Sequence, residues 1–233
     1  MKNNSSAIIR MFHVHKRYGS HIALADINID IEEKELLLIS GASGAGKSTL
    51  LKLLYMGESV SEGQIIVEGM NLSRISHTRT PFLRRKFGIV FQDYKLISTK
   101  TVFENVSLVL EVAGKRPAYI QKKVKSVLRM VGMEEKIGSF PPSLSGGEQQ
   151  RVAVARAIAG DPGIILADEP TGSLDPDSAE IIVNLLTTLN KQGVTVVIAT
   201  HDQSIINKTK GRVCYLKDRR MQPNAVEIKK NLQ

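Results

Sequence analysis

Gly41-Ala42-Ser43-Gly44-Ala45-Gly46-Lys47-Ser48 lies between the apolar runs Leu36-Leu37-Leu38-Ile39 and Leu50-Leu51-Lys52-Leu53-Leu54. The stretch is a complete G-x-x-x-x-G-K-[ST] loop placed between a strand-like and a helix-like segment. Glycines let successive backbone N–H groups converge on a phosphate at a helix N-terminus. Lys47 then reaches the β- and γ-phosphates, and the Ser48 hydroxyl, followed by Thr49, is placed for Mg²⁺ and phosphate. A glycine-rich turn that merely caps a helix needs neither the lysine nor the hydroxyl. The pattern implies a nucleoside triphosphate site.

The chain has 233 residues, enough for one large domain or a core with a small subdomain. Its single cysteine, Cys214, makes no internal disulfide and reads as a small buried residue within Arg212-Val213-Cys214-Tyr215-Leu216. The first six residues are polar, without the apolar stretch of a secretory signal. No run approaches the ~20 apolar residues that span a bilayer. Formal net charge is +9, with basic clusters at Arg84-Arg85-Lys86, Lys122-Lys123-Lys125 and Lys217-Asp218-Arg219-Arg220. No zinc-finger spacing or aromatic RNA-binding stretch accompanies them, so no nucleic-acid partner is expected. Each cluster alone fits a solvated helix face. Together they favour the cytoplasmic face of a membrane.

Residues 7–39 read as strands, with Ile27-Asn28-Ile29-Asp30-Ile31 alternating as in a sheet with one solvated face. Gly63–Gly69 and Phe87-Gly88-Ile89-Val90-Phe91 read as further strands, the latter ending at Gln92-Asp93. From about 93 to 143 the pattern is helical, an insertion within an α/β core. Thr101-x-x-Glu104 fits a capping box, and Ile120, Val124, Val127, Leu128 and Val131 share one helix face. The core resumes with a helix over about 148–159. Ile164-Ile165-Leu166-Ala167 and Val194–Ala199 are continuous apolar runs suited to buried parallel strands, with a helix over about 178–191 between them. The basic stretch 221–233 reads as a tail.

Ile164–Ala167 runs into Asp168 and Glu169, which places two acids where open α/β sheets bind ligands. Asp168 suits Mg²⁺, and Glu169 suits polarising an attacking water. Leu144-Ser145-Gly146-Gly147-Glu148 is a second glycine-bearing helix start. It is a capping box, and it also lets a phosphate approach backbone N–H groups. One nucleotide hardly needs both helix ends from the same chain.

Leu144–Glu148 resembles the signature motif of the ATP-binding-cassette (ABC) ATPases, and other pieces occur in the matching order. Tyr18 resembles the adenine-stacking aromatic. Gln92 resembles the Q-loop glutamine that touches Mg²⁺ and the lytic water. Ser173-Leu174-Asp175 resembles the D-loop, and His201 the switch histidine at the γ-phosphate. The resemblance spans roughly residues 8–220. It implies an α/β P-loop NTPase cassette with a mixed core sheet, an N-terminal antiparallel β subdomain and an inserted helical subdomain. The domain expected is 7–220, with core segments 7–92 and 144–220 and the helical subdomain at 93–143. It further implies ATP and Mg²⁺ as cofactors and a catalytic set of Glu169, His201, Gln92 and Lys47. Nucleotide contacts would come from Tyr18, Gly41, Ala42, Ser43, Gly44, Ala45, Gly46, Lys47, Ser48, Thr49, Gln92, Ser145, Gly146, Gly147, Glu148 and Asp175. Metal ligands would be Ser48, Gln92 and Asp168.

The family also implies a head-to-tail homodimer closed by ATP and an integral membrane partner, with the chain peripheral on the cytoplasmic face of the inner membrane. Asp168-Glu169-Pro170-Thr171-Gly172-Ser173-Leu174-Asp175, Pro81–Asp93 and Thr101–Val106 are similar to a bacterial subgroup of cell-division, lipoprotein-release and exporter ATPases, most of all to its cell-division members. Tyr55-Met56-Gly57 and the basic tail depart from that subgroup. The alternatives are a lipoprotein-release or exporter subunit and a nucleic-acid-associated ABC ATPase.

Overall fold

The computed structural model describes residues 7–76 and 78–222. Its first strands, β1 (Ala7–Tyr18) and β2 (His21–Glu32), pair antiparallel. Along β2, Ile27, Ile29 and Ile31 are buried while Asn28, Asp30 and Glu32 face solvent, as the alternation requires. The chain then passes through β3 (Leu36–Ser40) and α1 (Lys47–Leu54). It returns as β4 (Glu62–Val67) and β5 (Met70–Asn71) to complete an antiparallel sheet ordered β2-β1-β4-β5. A short helix, α2 (Thr80–Arg84), precedes β6 (Phe87–Val90). Three helices follow: α3 (Val102–Val112), α4 (Pro117–Met130) and α5 (Gly146–Ile158). The chain ends in β7 (Ile164–Asp168), α6 (Pro176–Lys191), β8 (Thr195–Thr200), α7 (Gln203–Lys208), β9 (Arg212–Lys217) and β10 (Arg220–Gln222).

The second sheet is ordered β10-β9-β3-β8-β7-β6 and is parallel except for β10. Its central strands are apolar on both sides because each side faces a different core. Leu36, Leu38, Ile165, Ala167, Val196 and Ile198 pack with α3, α4, α5 and α6. Leu37, Ile39, Ile164, Leu166, Val197 and Ala199 pack with α1 and the antiparallel sheet. Helix α1 and helix α5 therefore lie on opposite faces of the parallel sheet.

Several boundaries differ from the sequence reading. Helix α5 starts at Gly146 because Ser145 caps it, with its side chain accepting from the Glu148 N–H. Helix α6 starts at Pro176 because Asp175 caps it and proline suits the first helical position. Helix α2 was not expected. Residues 93–101 are not helical; they form turns before the Thr101 capping box, which is present with both reciprocal bonds. Met221 and Gln222, read as tail, pair with Leu216 and Tyr215 in β10. Asp218 and Arg219 both adopt positive φ and close that hairpin. The rest of the basic tail lies outside the described residues.

Asn105, on α3, holds the irregular stretch before its own helix. Its Nδ2 donates to the carbonyls of Ile97, Lys100 and Thr101 at 3.1, 2.9 and 2.9 Å. Its Oδ1 accepts from the Ile97 N–H at 2.8 Å, and the residue is fully buried. Removing the amide would strand buried backbone groups at about 1–3 kcal/mol. Asn105→Ala is expected to lower the unfolding free energy obtained from a urea titration by an amount in that range, as read by circular dichroism.

Candidate active site

The loop 41–46 leaves the C-terminal end of β3 and turns into α1. Gly46 caps the helix at φ 108° and ψ 7°, in left-handed space. A Cβ there would sit 2.8 Å from the Ala23 carbonyl and from Leu24 Cδ2, so both conformation and packing demand glycine. No side chain caps α1 and its first turn holds no acid, which leaves a positive helix end facing the loop. Lys47 is 6% exposed. Its Nζ donates to the carbonyls of Gly41 (2.8 Å) and Ala42 (3.2 Å) and pairs with Glu169 Oε1 at 3.1 Å.

Other strands deliver their ends to the same edge. Asp168 closes β7, and its Oδ1 accepts the Ser48 hydroxyl at 3.0 Å. Glu169 follows at φ 44°, with its N–H donating to the Ala199 carbonyl at 2.8 Å. That strained turn aims its carboxylate at Lys47 on one side and His201 on the other. His201, just past β8, places Nδ1 2.9 Å from Glu169 Oε1. Gln92 follows β6, with Nε2 3.6 Å from where a Cβ on Gly172 would be. The structure brings Gly41–Thr49, Gln92, Asp168, Glu169 and His201 together at one sheet edge.

The adjacent acids are driven apart in acidity. Burial pushes the Asp168 carboxyl above the usual range, with the neighbouring Glu169 charge adding to it and the Ser48 hydroxyl opposing. Burial acts in the same direction on Glu169, but the His201 hydrogen bond and then Lys47 outweigh it and hold that carboxyl low. Environments that separate two carboxyls assign them different chemical roles.

The remaining expected residues gather elsewhere. Ser145, Gly146 and Gly147 form the α5 N-terminus on the other face of the sheet. The Glu148 carboxylate accepts the Ser145 N–H at 2.8 Å, which makes it a helix cap. A Cβ on Gly147 would lie 2.3 Å from Ser178 Oγ, so the first turn of α6 excludes any side chain. Asp175 caps α6 by accepting the Ser178 N–H at 2.9 Å. Tyr18 stands at the end of β1, 42% exposed.

Sequence reasoning passed over two side chains on α5. The fully buried Gln150 donates from Nε2 to the Pro170 carbonyl at 2.7 Å, tying α5 to the chain beyond Glu169. Arg156 donates to the carbonyls of Lys95 (2.6 Å) and Tyr94 (2.7 Å), both residues at positive φ beyond Gln92. Polar residues interrupting the apolar run of a largely buried helix were the available signal.

The ABC transporter family profile matches residues 24–172. This fold and site define an ATP-binding cassette, and the chain belongs to the ABC transporter family, as an ATPase. It is similar to the cell division ATP-binding protein FtsE of Bacillus subtilis, 45% identical over 212 residues covering 91% of this chain and 93% of that protein. It is 43% identical to FtsE of Escherichia coli, over 91% and 96% of the two chains. Among solved structures, a dimeric ATP-binding cassette in a post-hydrolysis state with ADP and Pi matches with TM-score 0.84 and 36% identity. That match covers 92% of this chain and 97% of the other.

An acid whose folded pKa is raised costs stability once pH exceeds its unfolded value. Asp168→Asn is therefore expected to raise the melting temperature at pH 7.5 relative to the unsubstituted chain. The gap should close as pH falls through the raised Asp168 pKa toward 4, and a pH series of thermal melts checks it.

Proposed function

We propose that this chain is the ATP-hydrolysing subunit of a membrane-anchored machine of the cell-division type, working as an ATP-closed homodimer. The observation that carries the catalytic reading is the convergence of Lys47, Ser48, Asp168, Glu169 and His201 at the C-terminal edge of one parallel sheet. The triphosphate would lie along Gly41–Thr49, with backbone amides of the α1 N-terminus and Lys47 on its β- and γ-phosphates. Ser48 and Asp168 offer hard oxygen ligands side by side, a donor pair that fits Mg²⁺ bound mainly through substrate phosphates, with Gln92 nearby. When bound, Mg²⁺ supplies charge neutralisation at the phosphates.

A γ-phosphate that takes Lys47 draws it from Gly41, Ala42 and Glu169. The Glu169 carboxylate is then held by His201 alone and becomes a stronger base. Water oxygen attacks the γ-phosphorus in line as the bond to the β–γ bridging oxygen breaks, and ADP carries away that electron pair. The water proton passes to Glu169. His201 and Gln92 hold the γ-phosphate and the water in place.

The dimer reading follows from the two faces of the sheet. Loop 41–48 belongs to the α1 side and Ser145–Gly147 to the α5 side, so one nucleotide is best enclosed by the loop of one copy and the α5 N-terminus of another. A two-fold pair satisfies this twice with one sequence. The solved cassette described as dimeric with ADP and Pi supports a homodimer. Among the described residues no helix is long and apolar enough to cross a membrane. The reading places attachment at the cytoplasmic face of the inner membrane through an integral membrane protein of the FtsX type, docked beside Gln92 and helices α3 and α4.

Lys47→Ala is expected to abolish ATP binding in isothermal titration; unchanged affinity would remove Lys47 from the phosphate site. Glu169→Gln should bind ATP, lose hydrolysis by about 10²-fold or more, and elute as a dimer with ATP-Mg²⁺ in size-exclusion chromatography. Tagged Glu169→Gln protein loaded with ATP-Mg²⁺ and detergent-solubilised membranes then tests the partner by mass spectrometry. An FtsX-type protein supports the division role. A lipoprotein-release or exporter permease keeps the chemistry and replaces the biology.

A further inference from the structure

Lys16 is a buried cation that the mechanism above leaves without a task. It lies on β1 two residues before Tyr18, where the pairing with β2 shifts register between Lys16 and Arg17. Only 8% of the residue is exposed. A buried ammonium is costly unless acceptors surround it, and here they do. Its Nζ donates to the Ser59 carbonyl at 2.8 Å and pairs with Glu58 Oε2 at 3.0 Å. The same atom lies 4.7 Å from the centroid of the Tyr18 ring. Residues 58 and 59 come from the connection that follows α1, so this one ammonium joins the β1 end to the helix beginning at Lys47.

The bond from Lys16 holds the Glu58 carboxyl below its ordinary range, with a smaller contribution from the Tyr18 hydroxyl. The carboxylate thus balances the lysine charge while the cation draws on the negative face of the aromatic ring. The ring itself keeps 42% of its residue surface open. A ring already fixed on one side loses less freedom when a flat partner stacks on its open surface.

We propose that Lys16, held by Glu58 and Ser59, is a positioning residue that braces the Tyr18 ring for stacking on the nucleotide base. The proposal rests on the proposed ATP site and on Tyr18 being its base-stacking residue, as the resemblance to the adenine-stacking aromatic implies. It assigns Lys16 a share in base affinity and none in triphosphate affinity. The phosphate-binding loop and the base-stacking ring thereby become separable contributions to one ligand.

The test compares ATP with inorganic tripolyphosphate, which has no base, by isothermal titration on the full chain and its Lys16→Met, Lys16→Arg and Tyr18→Ala variants. Lys16→Met is expected to weaken ATP about three- to tenfold, the range of a partly desolvated cation–π contact, and to leave tripolyphosphate unchanged. Lys16→Arg should restore most of the loss, because it keeps the cation over the ring. Lys16→Met combined with Tyr18→Ala should be no worse than Tyr18→Ala alone. If Tyr18→Ala weakens ATP while Lys16→Met does not, the brace is overturned and the base-stacking role of Tyr18 stands. If Tyr18→Ala has no effect, that role fails and the brace with it. An equal loss for ATP and tripolyphosphate in Lys16→Met would mean general disruption of the α1 region, and that also overturns the proposal.

Discussion

A parallel sheet covered on both faces governs this molecule. Its central strands are apolar at nearly every position because Leu36 and Leu38 meet one core while Leu37 and Ile39 meet another. With both faces sealed, polar chemistry is confined to the strand ends. The C-terminal edge receives the loop after β3, the acids after β7, His201 after β8 and Gln92 after β6. Residues more than a hundred positions apart, such as Ser48 and Asp168, meet there because their strands lie in the same sheet, separated by β8 alone.

At that edge, charge is arranged by burial as much as by pairing. Lys47 is nearly enclosed and would be costly alone, so Glu169 and two carbonyls share it. Asp168 and Glu169 are neighbours in sequence, yet burial dominates the first while His201 and Lys47 control the second. One environment thus yields a carboxyl drawn to a hydroxyl and another poised between a cation and an imidazole.

The two-faced sheet also separates two glycine-bearing helix starts within a single chain. Of the glycines at 146 and 147, the second is held by packing, since a Cβ there would lie 2.3 Å from Ser178 Oγ, while one on the first would meet the Tyr94 hydroxyl at 3.0 Å. They stand on the α5 side, away from α1. Gln150 and Arg156 connect that helix to the chain after Glu169 and after Gln92. The α5 N-terminus is therefore tied mechanically to the site at the strand ends of its own chain, while in the proposed dimer it would face the nucleotide of another copy.

The sequence by itself determined the local features. The glycine–lysine–serine loop between a strand and a helix, the alternation in β2, the capping box at Thr101 and the paired acids after an apolar run are all written in short stretches. Their physics is local: backbone freedom, periodicity and a side chain reaching three residues along. Helix starts were missed by two residues where a cap, not hydrophobic spacing, sets the boundary, as at Ser145 and Asp175. The β9–β10 hairpin was missed because Asp218 and Arg219 take positive φ without the usual glycine. Only the tertiary structure decided which partners distant residues have. It put Lys16 beneath Tyr18 and against Glu58, hung Asn105 on the backbone before its own helix, and set α1 and α5 on opposite sides of one sheet. Those outcomes depend on strand order and on which face each helix covers, and neither is encoded within any single stretch of chain.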